Sequence, residues 1–112
     1  MGIYQDMSMN QKQLEKMIGK MMNIIKPNSV SNMGFNLKPI ETYKDEYYMS
    51  VTYVVPDGSE FLNRDNMRKT DVYRDQWNHE IKNTIKNYFN VNVVISSSSI
   101  ESESYHNRLK QW

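Results

Sequence analysis

The chain contains no cysteine and no alanine, and it has only four glycines and three prolines among its 112 residues. Without cysteine there is no disulfide, no thiolate zinc site and no cysteine nucleophile. No Asn-x-Ser/Thr acceptor for N-glycosylation occurs either, so we expect an intracellular origin. No apolar run approaches the ~18 residues that span a bilayer, and the opening residues lack the basic start and apolar stretch of a targeting signal. We therefore expect a cytoplasmic protein with no membrane partner.

Neither positive nor negative charge is in clear excess. The net charge is +1, with 24% charged residues. Such a balance gives no strong field that would steer the whole molecule onto nucleic acid or an acidic membrane. At 13.4 kDa the chain is long enough for one modest hydrophobic core and too short for two.

The absence of alanine accompanies an abundance of Asn, Lys, Ile, Met and Tyr. These residue types are written by A- and T-rich codons, so the bias indicates an AT-rich bacterium or its phage. Nine methionines supply flexible, polarizable side chains for a core that lacks alanine, and we interpret them as core packing.

The clearest pattern lies in residues 43–62. Apolar side chains alternate there with polar ones, as in a strand with one buried face, and the predicted buried set is Tyr47, Met49, Val51, Tyr53 and Val55. Pro56 to Ser59 then form a turn signal. We predict that this is the central strand, with strands on both sides of it.

Two amphipathic helices are predicted. Apolar residues recur at helical spacing over residues 10–26, where Ser8 or Asn10 provides the cap and Pro27 the stop. A second stripe, rich in aromatic residues, predicts a helix over residues 72–90.

Further strands are predicted over residues 35–43, 60–62 and 91–95; the proline in the first makes it an edge strand. The predicted order is α-β-β-β-α-β, an α+β fold with a small, mainly antiparallel sheet covered on one face by two helices. We expect an N-terminal arm (residues 1–8), one domain (9–95), and a serine-rich linker with a C-terminal interaction segment (96–112). Residues 96–104 consist almost entirely of serine and glutamate, a composition typical of an unfolded spacer.

Both predicted ends carry apolar side chains of the type found at interfaces. Tyr105, Leu109 and Trp112 are spaced by four and three residues, which places them on one side of a short helix. The predicted partner-binding residues are Ile3, Tyr4, Met7, Tyr105, Leu109 and Trp112.

Signatures of enzyme chemistry are scarce, and we expect no catalytic residues, metal or cofactor. His79 and His106 have no histidine or cysteine at ligand spacing. Asp57, Asp65, Asp71 and Asp75 lie around the start of the second helix, and paired carboxylates can hold Mg²⁺. Acidic residues are also expected at turns and helix starts for electrostatic reasons alone.

Residues 65–69, Asp-Asn-Met-Arg-Lys, resemble the Asp-Asn-Leu-x-Lys run of phage-type Holliday-junction resolvases. That family has an aspartate two positions before the run, where this chain has Asn63. The resemblance implies a Mg²⁺-dependent nuclease around Asp65 and Asp71, which we keep as an alternative. A second alternative is a nucleic-acid-binding module that uses the basic row Lys12, Lys16 and Lys20.

The order helix, meander, helix and final strand, with non-globular ends, resembles the small neck and tail-completion proteins of tailed phages. This resemblance implies a non-catalytic virion component, assembled in the bacterial cytoplasm, that forms rings with copies of itself and with other structural proteins. It is our leading hypothesis, and it transfers no functional residues, because a shared fold does not imply a shared function.

Overall fold

The computed structural model describes residues 10–41 and 45–110. Within these residues the helices are α1 (Gln11–Ile25), α2 (Met67–Phe89) and α3 (Glu103–Lys110), and the strands are β1 (Asn32–Pro39), β2 (Glu46–Val55) and β3 (Asn92–Ser102). Two short 3₁₀ turns, η1 (Glu60–Leu62) and η2 (Arg64–Asn66), precede α2. The predicted α+β class is confirmed, with the order α-β-β-α-β-α.

Helix α1 begins and ends where its local signals predict. Asn10 and Gln13 form a reciprocal capping box, in which the Asn10 side chain accepts the Gln13 N–H. Pro27 follows two residues after the last helical residue. Leu14, Ile18, Met21 and Met22 are buried, at the spacing of one helix face.

The predicted central strand is confirmed as β2, which lies between β1 and β3. It pairs antiparallel with β1 and parallel with β3. The sheet is therefore mixed, where the sequence predicted mainly antiparallel pairing. Parallel pairing follows from the connection, because α2 crosses over the sheet between β2 and β3 and returns the chain to the same end.

One hydrophobic core lies between this sheet and the helices α1 and α2. On β2 the buried side chains are Met49, Val51, Tyr53 and Val55, as predicted, while Tyr47 is half-buried. Helix α2 contributes Trp77, Ile81 and Ile85 to the same core, and the α1 face described above completes it. The core therefore sits on one face of the sheet.

Two predicted boundaries near α2 are wrong. Glu60–Leu62 is a 3₁₀ turn rather than a strand, and the Ser59 hydroxyl accepts the Phe61 N–H at its start. Helix α2 begins at Met67, five residues before the predicted Val72, because the two 3₁₀ turns wind the chain directly into it. Its end agrees with prediction: Asn90 takes a left-handed conformation with φ 55° and donates its N–H to the Lys86 carbonyl.

The serine-rich run, predicted as an unfolded linker from Ser96 onwards, is the second half of β3. Strand β3 continues to Ser102, with a register shift opposite Met49 and Ser50. Serine has little intrinsic preference for strands, so the ladder to β2 and the contact with α2 hold this segment in place. Helix α3 then follows β3 without a spacer.

A partly buried polar network joins α2 to the sheet. The Tyr53 hydroxyl donates to Asn78 Oδ1 at 2.6 Å, and Asn78 Nδ2 donates to the Ser98 hydroxyl at 3.0 Å. The Tyr53 side chain is fully buried, and its ring lies 5.0 Å from the Trp77 ring, centroid to centroid. The network links the central strand, the long helix and the serine run, so it fixes their relative positions.

The sheet face away from the core, which we call the open face, carries small polar side chains along its middle and the exposed Tyr48 and Val94 nearer one end. Ser50 and Thr52 of β2 lie beside Ser97 and Ser99 of β3 and Asn36 of β1.

Val54 of β2 also points to the open face, but it is buried. Helix α3 contacts β2 and β3, and we attribute the burial of Val54 to this helix.

Candidate interaction surface at the C-terminal helix

Helix α3 is eight residues long, which is too short for a stable helix in water without other contacts. Its start is capped twice. The Ser102 hydroxyl accepts the Tyr105 N–H at 3.1 Å, which is the geometry of an N-cap. Asp57, in the turn after β2, accepts the Ser104 N–H at 2.9 Å and also the Ser104 hydroxyl. These contacts attach the first turn of α3 to the end of the central strand.

The hydrogen bonds from Ser104 also favour the ionised form of the Asp57 carboxyl. The hydrogen bond from the Ser104 hydroxyl, and then that from the Ser104 N–H, hold the pKa of the Asp57 carboxyl below its ordinary value. The attachment is therefore made by the ionised carboxylate.

Two further polar contacts fix α3. The Ser31 hydroxyl, just before β1, donates to Glu103 Oε1 at 2.5 Å. His106 Nδ1 lies 2.8 Å from Glu101 Oε1, and these two side chains are only 22% and 17% exposed. Helix α3 is thus anchored at three places: near β1, after β2, and on β3.

Two large apolar side chains are exposed on α3, beside the polar Asn107 and Arg108. Tyr105 is 51% exposed and Leu109 is 49% exposed. The two are four residues apart in a helix, so they lie on one side of it, as predicted. We call this pair the α3 patch. The other predicted partner-binding residues, Ile3, Tyr4, Met7 and Trp112, lie outside the described residues.

The candidate carboxylates form no group of three that could hold a metal ion in the described part of the chain. Asp57 is engaged by Ser104, and Asp71 pairs with Arg74 Nη2 at 3.0 Å. In residues 10–41 and 45–110, no three histidine, aspartate or glutamate side chains come together as a metal-binding group. The nuclease alternative around Asp65 and Asp71 thus has no group of three such side chains among the residues that the structure describes.

The basic row of α1 lies on the surface. Lys12, Lys16 and Lys20 are all exposed, and none forms a salt bridge with a residue that the structure describes. Glu15 lies on the same helix, so the local charge is positive but not uniformly so. His79, on α2, is exposed as expected.

A crevice lies near the end of α1. It has an empty volume of about 180 Å³, including open solvent, and is lined by Ile25, Pro27, Met33, Trp77, Glu80 and Ile81. Pockets that bind drug-sized ligands or cofactors usually measure roughly 300–1,000 Å³. Because the 180 Å³ counts open solvent, the enclosed space is smaller still, and this crevice is too small for that use.

Sequence reasoning identified the α3 patch but missed what holds it. The contacts of Ser104 with Asp57 and of Glu103 with Ser31 join residues 47 and 72 positions apart. No local pattern reports such pairings. One signal was available: Ser102 followed by the acidic Glu103 is a typical helix start, and it would have placed α3 correctly.

Comparison with known proteins gave no match: no family model, no curated protein and no solved structure is similar to this chain. Among the described residues, the helices are all too short or too polar to cross a membrane.

Proposed function

We propose that this chain is a non-catalytic assembly subunit that binds copies of itself and other structural proteins through the α3 patch. The observation that carries the proposal is the exposure of Tyr105 and Leu109 on a helix whose opposite side is anchored to the domain.

The energetic argument rests on these two side chains. Burying a fully exposed large apolar side chain is worth roughly 1.5–3 kcal/mol, so completing the burial of these half-exposed ones stabilises a complex by about half of that each. Tyrosine is also enriched among the residues that dominate binding energy at interfaces. Because Asp57, Ser31 and Glu101 already hold α3 in place, a partner does not have to order this helix when it binds.

The finer proposal is a neck or tail component of a phage virion. Its support is the alanine-free composition, which is typical of AT-rich genomes, together with a small α+β domain that presents an apolar patch near its C-terminus. In this proposal the chain functions in the virion, in contact with neighbouring subunits.

The test compares Tyr105→Ser/Leu109→Ser with Tyr88→Ser. Tyr88 is 76% exposed on α2, so its replacement removes the same type of exposed side chain far from the patch. Size-exclusion chromatography with light scattering would measure assembly of the full chain, alone and with neck and tail proteins from the same genome.

We expect the double variant to lose binding to the neck and tail proteins while its thermal unfolding stays close to that of wild type, and Tyr88→Ser to bind them normally. Binding that is equal in all three proteins would refute the α3 patch as the binding surface.

A second candidate is nucleic-acid binding by the exposed lysines of α1. Three phosphate contacts predict a salt slope of about −2.7, so affinity for duplex DNA should fall about 40-fold between about 50 mM and about 200 mM salt. Lys12→Gln/Lys16→Gln/Lys20→Gln should abolish the binding. Fluorescence anisotropy that shows no wild-type binding at the lower salt concentration would exclude this candidate.

A further inference from the structure

Strand β3 forms one edge of the sheet, and no described strand pairs with its outer side. The Asn92 N–H donates to the Asp45 carbonyl beside β2. Because backbone groups alternate in direction along a strand, the N–H and C=O groups of Val93 and Ile95 point away from β2. They form the start of an open row of donors and acceptors.

Apart from one register shift of the β-bulge type, this edge lacks the features that usually prevent edge-to-edge pairing. No charged residue and no proline occurs from Asn92 to Ile100, and Val94, Ser96, Ser97 and Ser99 are exposed. The register shift near Ser96 is the one irregularity in its pairing with β2. Proteins normally protect an edge of this length with lysine, proline or a covering segment.

The opposite edge shows such protection. Strand β1 ends in Lys38 and Pro39, and Gln11 Nε2 of α1 donates to the Leu37 carbonyl at 3.1 Å. The contrast between the two edges of one small sheet indicates that β3, and not β1, is the edge available to a partner.

The chemistry of a strand edge selects its ligand. A row of alternating N–H and C=O groups is satisfied by another extended strand. Two copies of β3 in antiparallel orientation meet without like-charge repulsion, because residues 92–100 carry no charge. A two-fold axis through the serine run also places small hydroxyl side chains opposite one another, where bulky side chains would not obstruct the approach.

We propose that the outer edge of β3 pairs antiparallel with the same edge of a second copy, joining two three-stranded sheets into one continuous sheet. This interface is separate from the α3 patch and does not depend on it. The partner is a second copy of this chain, bound through the segment whose composition predicted an unfolded spacer.

The absence of cysteine permits a direct test by cross-linking. Ser97→Cys and Ser99→Cys each introduce a single thiol on the exposed part of β3, and Asn36→Cys places a matched thiol on β1, on the same face of the sheet. Directly opposed residues of antiparallel strands have Cα atoms about 4.5–5.5 Å apart, within disulfide range. A residue faces its own copy only at the two-fold axis, so each β3 variant cross-links by itself if the axis passes at its thiol, and an equimolar mixture of the two cross-links if the axis passes at Ser98. Under mild oxidation we expect covalent dimers from one β3 variant or from the mixture, while Asn36→Cys stays monomeric.

Sedimentation equilibrium supplies an independent measurement. Ser97→Lys/Ser99→Lys should weaken self-association by at least about tenfold relative to Asn36→Lys, which adds charge to the other edge. Circular dichroism checks that the lysine variants remain folded; if the double variant does not fold, cross-linking of the cysteine variants alone decides.

Three results would overturn the proposal. The first is a wild-type chain that stays monomeric up to about 1 mM, which would leave the edge to a strand from a different protein. The second is equal cross-linking from Asn36→Cys and the β3 variants. The third is loss of the β3 cross-link in Tyr105→Ser/Leu109→Ser, which would assign self-association to the α3 patch.

Discussion

The buried hydroxyl of Tyr53 permits a quantitative test of how α2 is held on the sheet. Tyr53→Phe keeps the ring and its packing against Trp77, but it removes the donor that lies 2.6 Å from Asn78 Oδ1. Asn78 Oδ1 then loses this partner in a partly buried position. Leaving such an acceptor unsatisfied costs about 1–3 kcal/mol of unfolding free energy.

Thermal and urea unfolding would measure this loss. In a domain of about 100 residues, each kcal/mol lowers Tm by about 4–8 °C, so we expect a fall of at least about 4 °C. Tyr88→Phe is the matched control, because Tyr88 is exposed and its hydroxyl bonds to no residue that the structure describes. The control should change stability by no more than about 0.5 kcal/mol.

A double-mutant cycle separates the hydrogen bond from general effects of the substitutions. Tyr53→Phe and Asn78→Ala should be coupled by at least about 0.5 kcal/mol, because each removes the partner of the other. Simple additivity of the two changes, or a Tyr53→Phe loss no larger than that of Tyr88→Phe, would refute the role assigned to this network.

Other predictions concern the sheet register and two titrating groups. Val51→Asp should prevent folding, because it buries an unpaired charge in the core, whereas Thr52→Asp on the open face should cost far less; equal losses of Tm would show that the register is wrong. Burial raises the pKa of the Tyr53 hydroxyl, and a nearby arginine opposes this with a smaller effect. Above the ordinary tyrosine pKa of about 10, the unfolded chain therefore loses the Tyr53 proton while the folded chain keeps it. Stability should therefore fall as pH rises past about 10, and less steeply in Tyr53→Phe, in urea titrations at a series of alkaline pH values. Asp57, whose pKa is depressed in the folded state, gives the opposite pH dependence. The stability that its carboxylate gives to the docked α3 is present above the ordinary aspartate pKa of about 3.9. This stability is lost as pH falls through the lower pKa of the folded state. The protection of the Ser104 amide, measured as exchange relative to its intrinsic rate at each pH, should then fall in acid and in Asp57→Asn, and unchanged protection in Asp57→Asn would contradict the proposed anchor.

For the α3 patch, the sequence predicted the helix but not the contacts that hold it on the domain. The spacing of Tyr105 and Leu109 predicted a helix with both side chains on one side, and this is confirmed. The prediction that a serine spacer carries this helix away from the domain is wrong, because β3 runs to Ser102 and α3 is anchored to Asp57. Serine and aspartate contacts across the sheet have no periodic signature, so only the assembled fold brings them together.

By itself the sequence determined the elements whose signals are local. Period-two alternation defined β2 and its buried face, and the Asn10 cap and Pro27 defined α1, because side-chain direction and backbone capping depend on neighbouring residues alone. Only the tertiary structure decided that Glu60–Leu62 is a turn, that four serines form a strand, and that this strand lies parallel to β2. The physical reason is that hydroxyl side chains carry no strong preference of their own. Their conformation is set by the ladder to β2 and the covering helix α2, both of which depend on residues far away in the chain.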